Sequence, residues 1–145
     1  MIRRYPVAAV AASLVVGIGI GMALQARAVG YAQADQRVFE IRTYYTHPGK
    51  LDALNARFRN HTLKFFEKYG MTNVVYGVPM DPPASENTLI YLLAHKDRET
   101  AKKSWDAFRK DPDWLKARTA SEAQGPITTK VESVFLTPTD YSPMK

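Results

Sequence analysis

Glu40, Arg42 and Tyr44 are spaced by two, so they share one face of any extended segment, because side chains alternate along a strand. A guanidinium placed beside a phenol can bind a small anion. The guanidinium forks onto a carboxylate or enolate, and the phenol donates a further hydrogen bond. The same residues read equally well as a structural ion pair, since a buried Arg beside a Glu must find a partner. The three histidines, His47, His61 and His95, lie far apart and show no ligand spacing, so no metal site is expected. Helical spacing sets His61 between Phe58 and Phe65, where an imidazole serves as satisfied core, general base or haem ligand. With His61 as base, Arg42 and Tyr44 would stabilise an enolate-like charge. Tyr76, Tyr91 and Trp114 are further candidates for lining a ligand cavity, and each also reads as aromatic core. His95 ends a strand beside Asp97, a capping or surface position. There is no phosphate loop, nucleophile elbow or glycine-rich dinucleotide turn. The chain has no cysteine, which excludes disulfides, thiolate metal sites and cysteine nucleophiles. No cofactor is expected, and whether the protein is an enzyme is left open.

These side chains need a frame, and the order of elements supplies one. Val38 to Tyr45 alternates as a strand, with Phe39, Ile41, Thr43 and Tyr45 on the face expected to meet helices. Glu40, Arg42 and Tyr44 would then point away from the helices. Thr46-His47-Pro48-Gly49 is turn chemistry. Leu51, Leu54, Phe58, His61, Phe65 and Tyr69 follow at helical spacing, and Gly70 closes the helix as a left-handed cap. Met71 to Pro79 is a second strand, and residues 81–87 are a loop by composition. Thr88 to His95 is a third strand with two apolar faces, Leu89, Tyr91 and Leu93 on one and Ile90, Leu92 and Ala94 on the other. Both faces should be buried, yet one small domain covers only one of them. A second copy of the chain is the economical cover for the other. Asp97 caps a helix striped by Ala101, Trp105 and Phe108, and Asp111-Pro112 opens another that runs to about Glu122. Lys130 to Leu136 is the fourth strand. The order β-α-β-β-α-β with an extra short helix is an α+β, ferredoxin-like arrangement.

The first 34 residues stand apart. Arg3 and Arg4 precede an uncharged, mostly apolar stretch from Val7 to Leu24, and small residues follow at Ala26-Arg27-Ala28 and Ala32-Gln33-Ala34. This is the layout of a secretory signal peptide cleaved after Ala34 or Ala28, with a retained membrane anchor as the alternative. Residues 35–145 form the folded domain, expected in the periplasm or secreted. The formal charge of +6 owes three units to Arg3, Arg4 and Arg27, with no acid before residue 35. The remaining +3 argues against nucleic-acid binding. Membrane association is expected only if the N-terminal segment is retained.

Several stretches carry a resemblance to one family: Phe39-Glu40-Ile41-Arg42-Thr43-Tyr44 followed by Pro48-Gly49-Lys50-Leu51, then His61 to Lys68, Asp111-Pro112-Asp113-Trp114 and Val131 to Leu136. Over residues 37–143 the chain resembles NIPSNAP proteins. The resemblance implies a dimeric α+β barrel, in which two ferredoxin-like sheets pack face to face. That group includes small monooxygenases, isomerases and haem-degrading enzymes, but it implies no catalytic residues here. The expectation is an exported homodimer that binds a small apolar molecule or a protein partner. A small cofactor-independent enzyme and a haem binder through His61 are the alternatives.

Overall fold

The computed structural model describes residues 37–145. The N-terminal segment, whether signal peptide or anchor, lies outside the described residues. Among the described residues no helix is long and apolar enough to cross a membrane.

Strand β1 (Val38–Thr46) leads through a turn into helix α1 (Leu51–Arg57). A π-helical turn, Phe58–Thr62, connects α1 to α2 (Leu63–Lys68), so the three segments run as one helix. Then come β2 (Thr72–Gly77), β3 (Thr88–His95), α3 (Arg98–Lys110), α4 (Pro112–Ser121) and β4 (Thr128–Leu136). The four strands form one sheet in the order β2-β3-β1-β4, and each neighbouring pair is antiparallel. Strand β3 is inserted between β1 and β2, which are joined by the first helix, and this is the split-βαβ topology of a ferredoxin-like α+β fold.

One face of the sheet carries the helices. Leu54, Phe58 and Phe66 from the first helix, Trp105 and Phe108 from α3, and Trp114 from α4 close over Leu89, Tyr91 and Leu93 of β3. Aromatic rings dominate this core. Phe66 lies edge-on to Phe58, Trp105 and Phe108, with centroids 5.2–6.2 Å apart. Such edge-to-face contacts suit the ring quadrupoles.

The alternation along β1 is present, but its faces are the reverse of the expectation. Glu40, Arg42 and Tyr44 look at the helices, while Ile41, Thr43 and Tyr45 look away with Ile90, Leu92 and Val134. The register fixes this: Arg42 pairs with Tyr91, and Ile41 pairs with both Leu92 and Val134. Glu40 and Arg42 occupy the covered face because they pair with each other there, and Tyr44 packs its ring on Phe58 and Tyr91.

The first helix corrects a second expectation. Its buried positions are Arg57 and the stripe Leu54, Phe58, Thr62 and Phe66, not Leu54, Phe58, His61 and Phe65. In a regular α-helix the latter set recurs at i, i+4, i+7, i+11 and stays on one face. The π turn takes up one extra residue, marked by the bond from the Leu63 N–H to the Phe58 carbonyl. Everything after it moves along by one, so Thr62 and Phe66 take the inward places and His61 is exposed. Gly70, at φ +71°, then ends the helix, with the Met71 N–H bonded to the Phe66 carbonyl at 2.9 Å.

Asp111 joins three elements. One carboxylate oxygen accepts from the Asp113 and Trp114 N–H groups at 2.8 and 2.9 Å and caps α4. The other accepts from Lys68 Nζ at 2.5 Å and the Tyr69 hydroxyl at 2.6 Å, at the end of the first helix. These bonds hold its carboxyl well below the usual carboxylate range.

Candidate functional site

The residues expected to do chemistry are organised by Glu40, whose side chain is 1% exposed. Its Oε2 accepts from Trp105 Nε1 at 2.7 Å and from His95 Nε2 at 3.0 Å. Its Oε1 accepts from the Ser133 hydroxyl at 2.6 Å and from Arg42 Nη1 at 2.8 Å. Burial alone would push this carboxyl up. The bonds from His95, Ser133 and Trp105 and the Arg42 charge outweigh it and hold the carboxyl at about 2. Glu40 is therefore a fixed anion that orients Arg42, with no free lone pair left for a ligand.

Arg42 lies flat on Trp105, its guanidinium carbon 4.2 Å from the ring centroid, in cation–π geometry. One edge of the guanidinium bonds Glu40. Its Nε has no partner among the described residues. Above it opens a cleft of about 190 Å³ between the sheet and helices α3 and α4. Arg42, Tyr44, Trp105 and Trp114 line it, and Arg57, Arg109 and Arg118 supply further cations. Arg57 is 5% exposed, bonds Glu122 Oε1 at 2.9 Å and has a buried, unpartnered Nε. Arg118 reaches the other Glu122 oxygen at 3.4 Å. Glu122 thus partly answers Arg57 and Arg118, and the cleft keeps a positive excess beside two indole walls.

Of the residues expected from the sequence, Arg42, Tyr44 and Trp114 come together in this cleft, and Glu40 lies beneath it. Tyr91 is buried under Tyr44, with ring centroids 5.5 Å apart. Burial pushes its phenol well above the usual range, and its hydroxyl has no partner among the described residues. Tyr76 stacks on Tyr91 at 5.1 Å and donates to Asn73, on the far side of the core from Trp105. His61 lies apart from these residues, in a shallow depression of about 210 Å³ with Asn60, Lys64 and Phe65. No histidine lines the cleft. His95 is buried against Glu40, although a surface or capping position was expected. Among the described residues no three His, Asp or Glu groups gather to hold a metal ion.

Arg57, Arg109 and Arg118 are not among the residues singled out from the sequence. The spacing of Arg98, Lys102, Trp105 and Arg109 at i, i+4, i+7 and i+11 was the available signal. It sets three cations and an indole in one stripe along α3.

The family model described as NIPSNAP matches residues 39–143. No curated protein matches. Among solved structures, the fold is similar to a NIPSNAP family protein of unknown function from Agrobacterium tumefaciens str. C58, with a TM-score of 0.65 at 18% identity over 76% of this chain and 95% of that one. It is similar to a NIPSNAP domain protein from Burkholderia xenovorans, with a TM-score of 0.62 at 20% identity over 73% and 98%. SnoaB, a cofactor-independent oxygenase from Streptomyces nogalater, gives 0.51 at 17% identity over 74% and 98%. At these identities the likenesses speak to the fold. With the family model spanning residues 39–143, well over half of the sequence, the chain belongs to the NIPSNAP family.

Proposed function

We propose that the mature protein is an exported homodimer that binds a small organic anion with a flat apolar body in the cleft between β1, α3 and α4. The observation that carries this reading is the pair of largely buried guanidiniums, Arg42 and Arg57, that line one cleft walled by Trp105 and Trp114 and are only partly answered by Glu40 and Glu122. A buried guanidinium with unused donors selects a carboxylate or enolate, and the indoles select a planar body. This reading keeps the largely apolar small molecule expected from the sequence and adds a negative charge to it. Export is supported by the order of charged, apolar and small residues before Asp35. Pairing of two copies is supported by the uncovered sheet face. There Ile41, Ile90, Leu92 and Val75 border a hollow of about 460 Å³ with almost no polar lining.

An oxygenase reading has the fold likeness to SnoaB behind it. His61 lines a separate depression, so an oxygenase reaction in this cleft would need another base. Haem ligation by His61 loses its support for the same reason, since the shallow depression offers no enclosed apolar slot. Binding without an assigned reaction is the function we adopt.

The test is calorimetric titration with 1-naphthoate and its neutral amide as probes. Naphthoate should bind, the amide should not, and Arg42→Met should weaken binding at least tenfold, the scale of a lost charged hydrogen bond. Arg118→Met at the exposed rim should weaken it several-fold without disturbing the fold. Equal binding of acid and amide, or unchanged binding in both variants, would sink the proposal.

A further inference from the structure

The cleft does not end at Arg42. On the other side of the Arg42–Trp105 stack a second hollow of about 330 Å³ runs between α3 and β4, lined by Arg98, Lys102, Ser133 and Phe135. The two hollows share Arg42, Trp105 and Arg109 as their common wall. Arg109 is the movable part of that wall. It is more than half exposed and, among the described residues, tethered only to Asp106, at 2.8 Å. Strand β4 explains the opening. As the edge strand it has no helix above its inner face, and Val131 and Ser133 are exposed there.

The charges are unevenly matched across the two hollows. Six cations, Arg42, Arg57, Arg98, Lys102, Arg109 and Arg118, face three carboxylates, Glu40, Asp106 and Glu122. The excess is three, and it is divided between the ends. At the inner end Arg42, Arg57 and Arg118 share Glu40 and Glu122. At the outer end Lys102 and Arg109 share Asp106, while Arg98 forms no ion pair among the described residues and lies over the Phe135 ring at 4.4 Å. A single anion at the inner end would leave the outer excess unanswered.

We infer that the groove takes an elongated dianion, with one carboxylate on Arg42 and Arg57, an apolar middle across Trp105, and a second carboxylate on Arg98 and Lys102. This rests on the anion-binding reading above and names its ligand class. Arg98 precedes Trp105 by seven residues, about 10 Å along the helix axis, so the second anionic group lies about that far beyond the indole. The middle meets Trp105, Val131 and Phe135 and so must be apolar. A short diacid cannot reach both ends, and a polar chain forfeits the indole contact.

The experiment is titration of the mature protein with a homologous series of α,ω-dicarboxylates and with the monomethyl ester of each. The best diacid should bind about tenfold more tightly than its own monoester, with an optimum at intermediate chain length. Arg98→Met combined with Lys102→Met, both on the exposed side of α3, should erase that gain and leave monoester and naphthoate binding unchanged. Higher salt should weaken the diacid more steeply than the monoester. If monoanions bind but diacids gain nothing at any length, the dianion assignment is overturned and the anion cleft stands. If no carboxylate binds, naphthoate included, both are overturned. Retention of the diacid gain in the double variant would also overturn the assignment.

Discussion

Glu40 is a buried carboxylate with four hydrogen-bond donors around it, and that arrangement makes acid stability a readout of the site. Its carboxyl falls from an ordinary 4.5 to about 2 in the folded protein. A lowered value means the stabilisation is complete above pH 4.5 and is lost as pH falls toward 2. Glu40→Gln should cost on the order of 3 kcal/mol at pH 7, and the gap to the wild type should narrow at pH 3. Urea denaturation at the two pH values measures it, and a gap independent of pH would show that Glu40 is not the titrating group. Little of this was legible beforehand. The donors Trp105, Ser133 and His95 lie 65, 93 and 55 residues away in sequence. An alternating strand shows which residues share a face, but long-range partners decide which face goes inward.

At the scale of elements, the π turn at Phe58–Thr62 shows how a correct helix assignment can carry a wrong stripe. Phe65 and Phe66 are adjacent, as are His61 and Thr62, so two apolar stripes of similar quality run past Phe58. One extra residue in the wide turn selects the second. Deleting Asn60, which is exposed in that turn, should restore a regular helix and keep Phe66 inward. The deletion should cost less than about 2 kcal/mol, whereas Phe66→Ala should cost about 3–5 kcal/mol because that ring is fully buried among four aromatic neighbours. Thermal melts followed by circular dichroism compare the two, and a deletion as damaging as the truncation would refute the register argument. The strands were easier to read. Strand β3, apolar on both faces, spans Thr88–His95 as its pattern implies, because a continuous apolar run between turn residues has few other solutions.

For the whole molecule the sheet face that no described residue covers decides the outcome. Val75 and Val134 are more than half exposed, and Ile90 and Leu136 are about 40% exposed, all on or near one side of the sheet. A monomer rarely leaves so continuous an apolar surface in water. The mature chain should have the mass of a dimer by light scattering, and Val134→Glu should give a folded monomer, since the charge would be buried unpaired in the interface. A wild-type monomer would remove the case for pairing. The sequence reading reached this surface from β3 alone. It did not reach the cationic groove, because solvated arginines and cleft arginines have the same composition and differ only in what stands opposite them.

Trp105 and Trp114 are the two tryptophans of the chain, and both stand in the wall of the cleft. One of them is covered by a guanidinium and hydrogen-bonded to a carboxylate. The tryptophan emission of the protein therefore originates at this cleft alone, with no indole elsewhere to dilute it. Any ligand that displaces water from these rings or shifts Arg42 changes the emission directly, so unlabelled protein can be screened against compound collections by its own light.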